Sequence, residues 1–109
     1  MLNKSIIMDL TQEQWAERIE NDPQAVILDV RTRDEWDGGH IPNATLLDIY
    51  QPEEFLAGVE KLDPSKHYYV YCKGGTRSAQ ACSIMSQMGI PESYNLLGGF
   101  SNWKGNVAN

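Results

Sequence analysis

His67-Tyr68-Tyr69-Val70-Tyr71-Cys72-Lys73-Gly74-Gly75-Thr76-Arg77-Ser78 decides the fold, because three kinds of sequence follow one another there without a gap. The residues up to Cys72 are aromatic and β-branched, the signature of a strand. Two glycines set between two cations then form a loop. From Ser78 to Met88 small apolar residues occupy one helical face and serines and glutamines the other. Gly89, with Pro91 beyond it, closes that helix. Strand, glycine loop and helix in this order make the unit of an α/β sheet. Its loop lies at the carboxyl end of a strand, where open α/β sheets bind ligands.

Working outward, Ala25-Val26-Ile27-Leu28-Asp29-Val30 is a continuous apolar run with one acid near its end. Continuous rather than alternating character suits a strand covered on both faces. Thr11 caps a helix over 12–20, with Gln14 closing a capping box, and Asn21-Asp22-Pro23 ends it. Arg33-Asp34-Glu35-Trp36 reads as a helical turn, 38–43 as a loop, and 44–47 as a short strand. Residues 52–59 read as a helix with proline in its first turn, 94–97 as a last short strand, and 98–104 as a closing loop and helical turn. This alternation predicts one α/β domain over residues 1–109, with a mainly parallel sheet of about five strands flanked by helices on both faces. The strand ends at Asp29 and Cys72 then share an edge, so the Asp29-Val30-Arg31 segment and the Cys72 loop face one crevice.

A chain of 109 residues has room for one core. Its 41% hydrophobic and 22% charged residues are ordinary for a soluble domain. A formal net charge of -6 argues against a nucleic-acid partner, which would need a basic face. No segment has the apolar length of a bilayer span. The start, Met1 to Leu10, has one lysine and an apolar patch that Asp9 breaks, so it fails as a signal peptide and a cytoplasmic location is expected. Cys72 and Cys82 are not spaced C-x-x-C and no histidine pair accompanies them, which rules against a four-ligand zinc site. Both are read as thiols in a reducing compartment, a disulfide between them being the alternative.

The Cys72 loop is built to hold an anion. A helix N-terminus contributes unpaired N–H groups and partial positive charge. Gly74 and Gly75 allow positive φ, so successive N–H groups can point inward as a nest. Lys73 and Arg77 add full charges. A thiolate on the floor of such a cradle has a lowered pKa, the requirement for a cysteine nucleophile at neutral pH. The plain alternative, Cys72 as a small hydrophobe at a strand end, leaves the glycines and cations without a purpose.

Arg77 is read as the anion clamp, since a solvated arginine there would oppose the helix dipole. Lys73 either attracts the anion or points to solvent. Thr76 and Ser78 turn their hydroxyls toward the loop, or Ser78 merely caps the helix. Asp29 and Arg31 are read as supporting groups. A carboxylate closing an apolar strand needs a partner, which Arg31, Arg33 or loop backbone can supply; the alternative for Arg31 is donor binding. His40 is read as a loop-stabilising hydrogen-bonder. Cys82 falls on one helical stripe with Ser78, Met85 and Gly89, and is read as core, with a resolving thiol as the alternative. Trp36 and Phe100 are placed at the mouth of the crevice.

Four ordered blocks resemble a known family. They are Leu28-Asp29-Val30-Arg31 with Glu35-Trp36, Gly39-His40-Ile41-Pro42-Asn43-Ala44, Cys72 to Ser78, and Leu97-Gly98-Gly99-Phe100 with Trp103. Together they make the chain similar to the single-domain rhodaneses, which are sulfurtransferases. The resemblance implies that Cys72 takes the outer sulfur of a donor such as thiosulfate, becomes a persulfide, and passes that sulfur to cyanide or a thiol, with no cofactor. It also implies that Lys73, Gly74, Gly75, Thr76, Arg77 and Ser78 bind the donor and the persulfide. The basic loop resembles the thiosulfate-using branch rather than the mercaptopyruvate-using one. Two alternatives stand beside this: a sulfur-carrier or interaction module serving a sulfur-relay protein, and a phosphatase of the Cdc25 type. Phosphatases of that group have one more residue between cysteine and arginine than the four found here. The smaller ring suits a single sulfur atom better than a phosphoryl group.

Overall fold

The computed structural model describes residues 5–109. Residues 1–4, the beginning of the stretch read above as too broken for a leader, lie outside the described residues. Five strands and four α-helices follow in the order β1 (Ile6–Leu10), α1 (Gln12–Glu20), β2 (Ala25–Asp29), α2 (Arg33–Asp37), β3 (Thr45–Leu46), α3 (Pro52–Glu60), β4 (His67–Tyr71), α4 (Thr76–Gln87) and β5 (Glu92–Leu96), with a 3-10 turn at Phe100–Asn102. The sheet runs β1-β5-β4-β2-β3 and every pairing is parallel. β4, the strand that leads to Cys72, is therefore central.

Local chemistry sets the helix starts. Thr11 Oγ1 accepts from the Gln14 N–H at 3.2 Å while Gln14 Oε1 accepts from the Thr11 N–H at 3.1 Å, the predicted capping box. Thr32 and Glu35 make a second such box at α2. Pro52 occupies the first turn of α3, where its missing N–H costs nothing.

The strand period of two divides the core between the sheet faces. Tyr68, Val70 and Cys72 point to one face with Leu28 and Val30, where α3 supplies Phe55 and Val59 and α4 supplies Ala81, Cys82 and Met85. Tyr69 and Tyr71 point to the other with Leu10, Tyr94 and Leu96, covered by Trp15 of α1 and by Phe100 and Trp103. Trp15 is fully buried, and its indole N–H donates to the Tyr94 carbonyl at 3.1 Å. Two covered faces explain why β2 and β4 read as unbroken apolar runs.

Three elements differ from the sequence reading by more than a residue, one of them β5, which begins at Glu92 rather than Tyr94 and ends at Leu96. β1 was not read as a strand. It is an edge strand with one partner, and Ile6, Ile7 and Met8 remain 43–46% exposed, so neither alternation nor burial marks it. α4 begins at Thr76, two residues before the expected start at Ser78, because Gly75 takes the N-cap with φ +110°. Among the described residues no helix is long and apolar enough to cross a membrane.

Candidate active site

β2 and β4 are paired in register, Asp29 opposite Tyr71, so both strands end together at the carboxyl edge of the sheet. The Val30 N–H donates to the Tyr71 carbonyl at 3.0 Å. This backbone bond brings the Asp29-Val30-Arg31 segment beside the Cys72 loop, as the topology argument required.

Cys72 is 1% exposed at the floor of the loop. Its Sγ accepts from the Gly75 N–H at 3.0 Å and lies 3.3 Å from the Ser78 hydroxyl. Burial pushes the thiol up. Hydrogen bonds to sulfur from the Ser78 hydroxyl and from the N–H groups of Ser78, Gly75 and Gly74 outweigh it, so the thiol is held below its ordinary range. Cys82 shows the contrast: burial in the core pushes its thiol up to about 11. Both cysteines are free thiols.

Only one of the paired glycines has the conformation expected of both. Gly75 has φ +110°, whereas Gly74 is not among the positive-φ residues, and a Cβ added to Gly74 would meet nothing within 4 Å. The loop is held from behind by the closing segment. The Phe100 N–H donates to the Cys72 carbonyl at 2.8 Å and the Ser101 N–H to the Lys73 carbonyl at 3.0 Å. Lys73 itself is exposed.

Arg77 departs from the sequence reading. Its two terminal nitrogens lie 2.7 and 2.9 Å from the two carboxylate oxygens of Glu35, a bidentate pair, and its guanidinium carbon sits 5.2 Å from the Tyr50 ring centre. The side chain expected to clamp an anion is therefore neutralised by a carboxylate 42 residues away in the chain. Nothing near Glu35 in the sequence marks it as a partner for Arg77. Its one local signal was the capping pattern Thr32-x-x-Glu35, and that carboxylate serves both the cap and Arg77.

Two hydrogen bonds from Arg77 hold the Glu35 carboxyl down to about 2 from 4.5, with burial opposing them. Because the folded value lies below the unfolded one, this contribution to stability is complete above pH 4.5 and is lost as pH falls through about 2. Since the pair is partly solvated, it is worth ~2 kcal/mol. Glu35→Gln is expected to melt lower than wild type at neutral pH and to lose less stability on acidification. Thermal melts from pH 7 to pH 2 check this, and parallel acid profiles for the two proteins would refute it.

Asp29 and Arg31 form a pair that is 0% and 4% exposed. The Arg31 Nη2 donates to Asp29 Oδ2 at 2.7 Å and to the Gly39 carbonyl at 2.8 Å. The guanidinium carbon lies 4.4 Å from the Phe100 ring centre, a cation–π contact. All of this is on the tyrosine face of the sheet, opposite the Cys72 side chain. The pair thus anchors the Gly39 loop and Phe100, and Phe100 in turn holds the Cys72 carbonyl. His40 stacks on Trp36 with ring centres 3.5 Å apart, its Nδ1 lies 3.1 Å from the Trp36 carbonyl, and its backbone pairs with Ala108. Ser78 is fully buried inside α4, with Asn95 Oδ1 2.5 Å from its hydroxyl. It is not the helix cap. Asn95, which contacts this hydroxyl, and Asp9, which accepts from the Asn95 amide, carry no local sequence signal. Among the described residues no group of three or more His, Cys, Asp or Glu is arranged to hold a metal.

The sequence profile of the Rhodanese-like domain matches residues 11–106. The chain belongs to this family. The rhodanese-like chain is 38% identical over 79 residues to the thiosulfate sulfurtransferase GlpE of Coxiella burnetii, covering 72% of this chain and 71% of that one. It is 27% identical over 103 residues to the putative sulfur carrier protein YrkF of Bacillus subtilis, covering 94% of this chain but only 54% of YrkF. The crystal structure of a rhodanese-like domain protein from Staphylococcus aureus superposes with a TM-score of 0.78 at 26% identity, over 93% of this chain and 96% of the other. The rhodanese-like fold, with its five-stranded parallel sheet, matches the α/β class expected from the sequence. The names of its curated relatives include a thiosulfate sulfurtransferase, a putative sulfur carrier and a tRNA uridine(34) hydroxylase, of which last this chain covers only 29%.

Proposed function

We propose that the protein is a sulfurtransferase that moves a sulfane sulfur from an anionic donor such as thiosulfate to a thiophilic acceptor through a persulfide on Cys72. The observation that carries this reading is the Cys72 Sγ on the floor of the loop, with the Gly75 N–H 3.0 Å away and the Ser78 hydroxyl 3.3 Å away. The thiolate attacks the outer sulfur of thiosulfate, a sulfur–sulfur bond forms to Cys72, and the bond to the departing sulfite breaks. The new outer sulfur carries the negative charge, and the loop's amides and the α4 N-terminus stabilise it. A thiolate or cyanide then attacks that outer sulfur and the Cys72 thiolate leaves. The cycle balances without an oxidant, a metal or another cofactor. It suits a reducing compartment such as the cytoplasm, because the nucleophile must remain a free thiol.

With Arg77 occupied by Glu35, Lys73 is the loop's remaining cation for a free donor. That observation favours a second reading, in which a sulfur-relay protein loads Cys72 directly and free thiosulfate turns over poorly. The likeness to YrkF supports it too. The experiment is to supply thiosulfate and cyanide and measure thiocyanate, alongside the intact mass of freshly isolated protein. Thiocyanate formation supports the enzyme. One added sulfur atom by mass with negligible thiosulfate turnover supports the carrier. Protein that neither turns over thiosulfate nor can be loaded with sulfur overturns both.

A further inference from the structure

The Ser78 hydroxyl has one proton and two acceptors to choose between: Asn95 Oδ1 at 2.5 Å and Cys72 Sγ at 3.3 Å. The Asn95 amide is not free to turn round. Its Nδ2 donates to Asp9 Oδ1 at 3.0 Å and to the Gly75 carbonyl at 3.3 Å, both of which only accept. A flip would set oxygen against oxygen at both contacts. Asn95 Oδ1 therefore faces Ser78 at all times, and the Asp9 carboxylate makes that oxygen a stronger acceptor by polarising the amide. Asp9 and Asn95 are register partners on adjacent strands, β1 and β5, so the sheet itself holds the chain of contacts in line.

We propose that Asp9 and Asn95 form a positioning relay that draws the Ser78 hydroxyl proton away from Cys72, and so governs how readily that sulfur exists as a thiolate. To the extent that the proton is held on the Asn95 side, the hydrogen bond from the Ser78 hydroxyl to Cys72 is weakened, and S⁻ loses part of the stabilisation that this donor gives it. The Gly75 N–H acts in the other sense. A more basic thiolate is the stronger nucleophile toward a donor sulfur. In a persulfide Cys72 Sγ is neutral, needs no donor, and leaves the Ser78–Asn95 bond undisturbed. The relay thus favours the loaded over the empty site. The other ionisable groups around Cys72 are Lys73 next in the chain, Arg77 with Glu35 paired to it, and Cys82 in the core of α4. Asp29 and Arg31 lie across the sheet.

The value of the relay to catalysis rests on the sulfurtransferase reading, but its test does not. The rate of iodoacetamide alkylation at Cys72 against pH, followed by peptide mass, reads the thiolate directly whether or not thiosulfate is a substrate. Asn95→Ala removes the competing acceptor and is expected to lower the alkylation midpoint by about one pH unit. Asp9→Ala, on the exposed edge strand, is expected to lower it by less. In a Ser78→Ala background neither substitution should shift it. Unchanged midpoints overturn the relay. So does a shift that persists without the Ser78 hydroxyl, because Asp9 would then act only as a nearby charge. If Asn95→Ala fails to fold, Asp9→Ala with and without Ser78→Ala decides the matter.

Discussion

Cys72→Ser is expected to reduce sulfur transfer to background, a loss of at least about 10³-fold, while the protein melts as wild type does. Serine is close in size to cysteine, and its oxygen can accept the same Gly75 N–H, so the buried site loses little packing and no partner. It loses the chemistry, because an alcohol at neutral pH is neither ionised nor able to form a persulfide. Cys82→Ala is the matching control. That thiol lies in the core, and burial keeps it protonated. Its removal should lower stability modestly and leave thiocyanate formation and the sulfur-adduct mass in place. Retention of activity by Cys72→Ser, or its loss on replacing Cys82 alone in a folded protein, would sink the assignment.

Gly99→Ala should be the most damaging change outside the loop. Gly99 has φ +59° and ψ -162°, a region that essentially only glycine occupies. A Cβ there would overlap the Lys73 carbonyl and stand 2.6 Å from the Cys72 carbonyl oxygen. Neither can yield easily, because the next two N–H groups, from Phe100 and Ser101, are bonded to those same carbonyls. Strain and steric overlap together predict a cost of about 3–5 kcal/mol. Any surviving native protein should carry a displaced loop and slower Cys72 alkylation. Gly74→Ala provides the comparison, since its backbone and surroundings make no such demand, and it should melt close to wild type. Thermal melts and alkylation rates of the two variants check this. Equal behaviour would show that the closing segment does not hold the loop.

Where the sequence was readable, the signal was local. Thr11 with Gln14, Pro52, and the apolar runs of β2 and β4 each declare their element within a few residues, and from their order came the parallel sheet. The loop residues were readable for the same reason: Cys72 to Ser78 are contiguous. Pairings across the chain were not readable. Arg77 looked like a free cation because the carboxylate that meets it lies on α2. Asn95 looked like an ordinary strand residue because its partners, Asp9 and Ser78, lie on β1 and α4. β1 itself was missed because a half-covered edge strand shows neither alternation nor a full apolar run. The pair of glycines read as one motif, yet only Gly75 has the conformation that requires it. Asp29 was recognised as needing a partner, and Arg31, two residues on, supplies it.

The pairing of β1 with β5 also bears on how the molecule is assembled. Asp9 meets Asn95 across 86 residues, and closing a loop of that size costs about 4 kcal/mol of chain entropy before any contact offsets it. The strands β2 and β4 and the helices between them can join over shorter separations, so β1 is set to dock late in folding. Until it does, the Asn95 amide lacks the carboxylate that orients it, and until the Phe100 segment closes, the Cys72 loop lacks its backing. A nascent or partly opened chain therefore carries Cys72 without the surroundings that tune it.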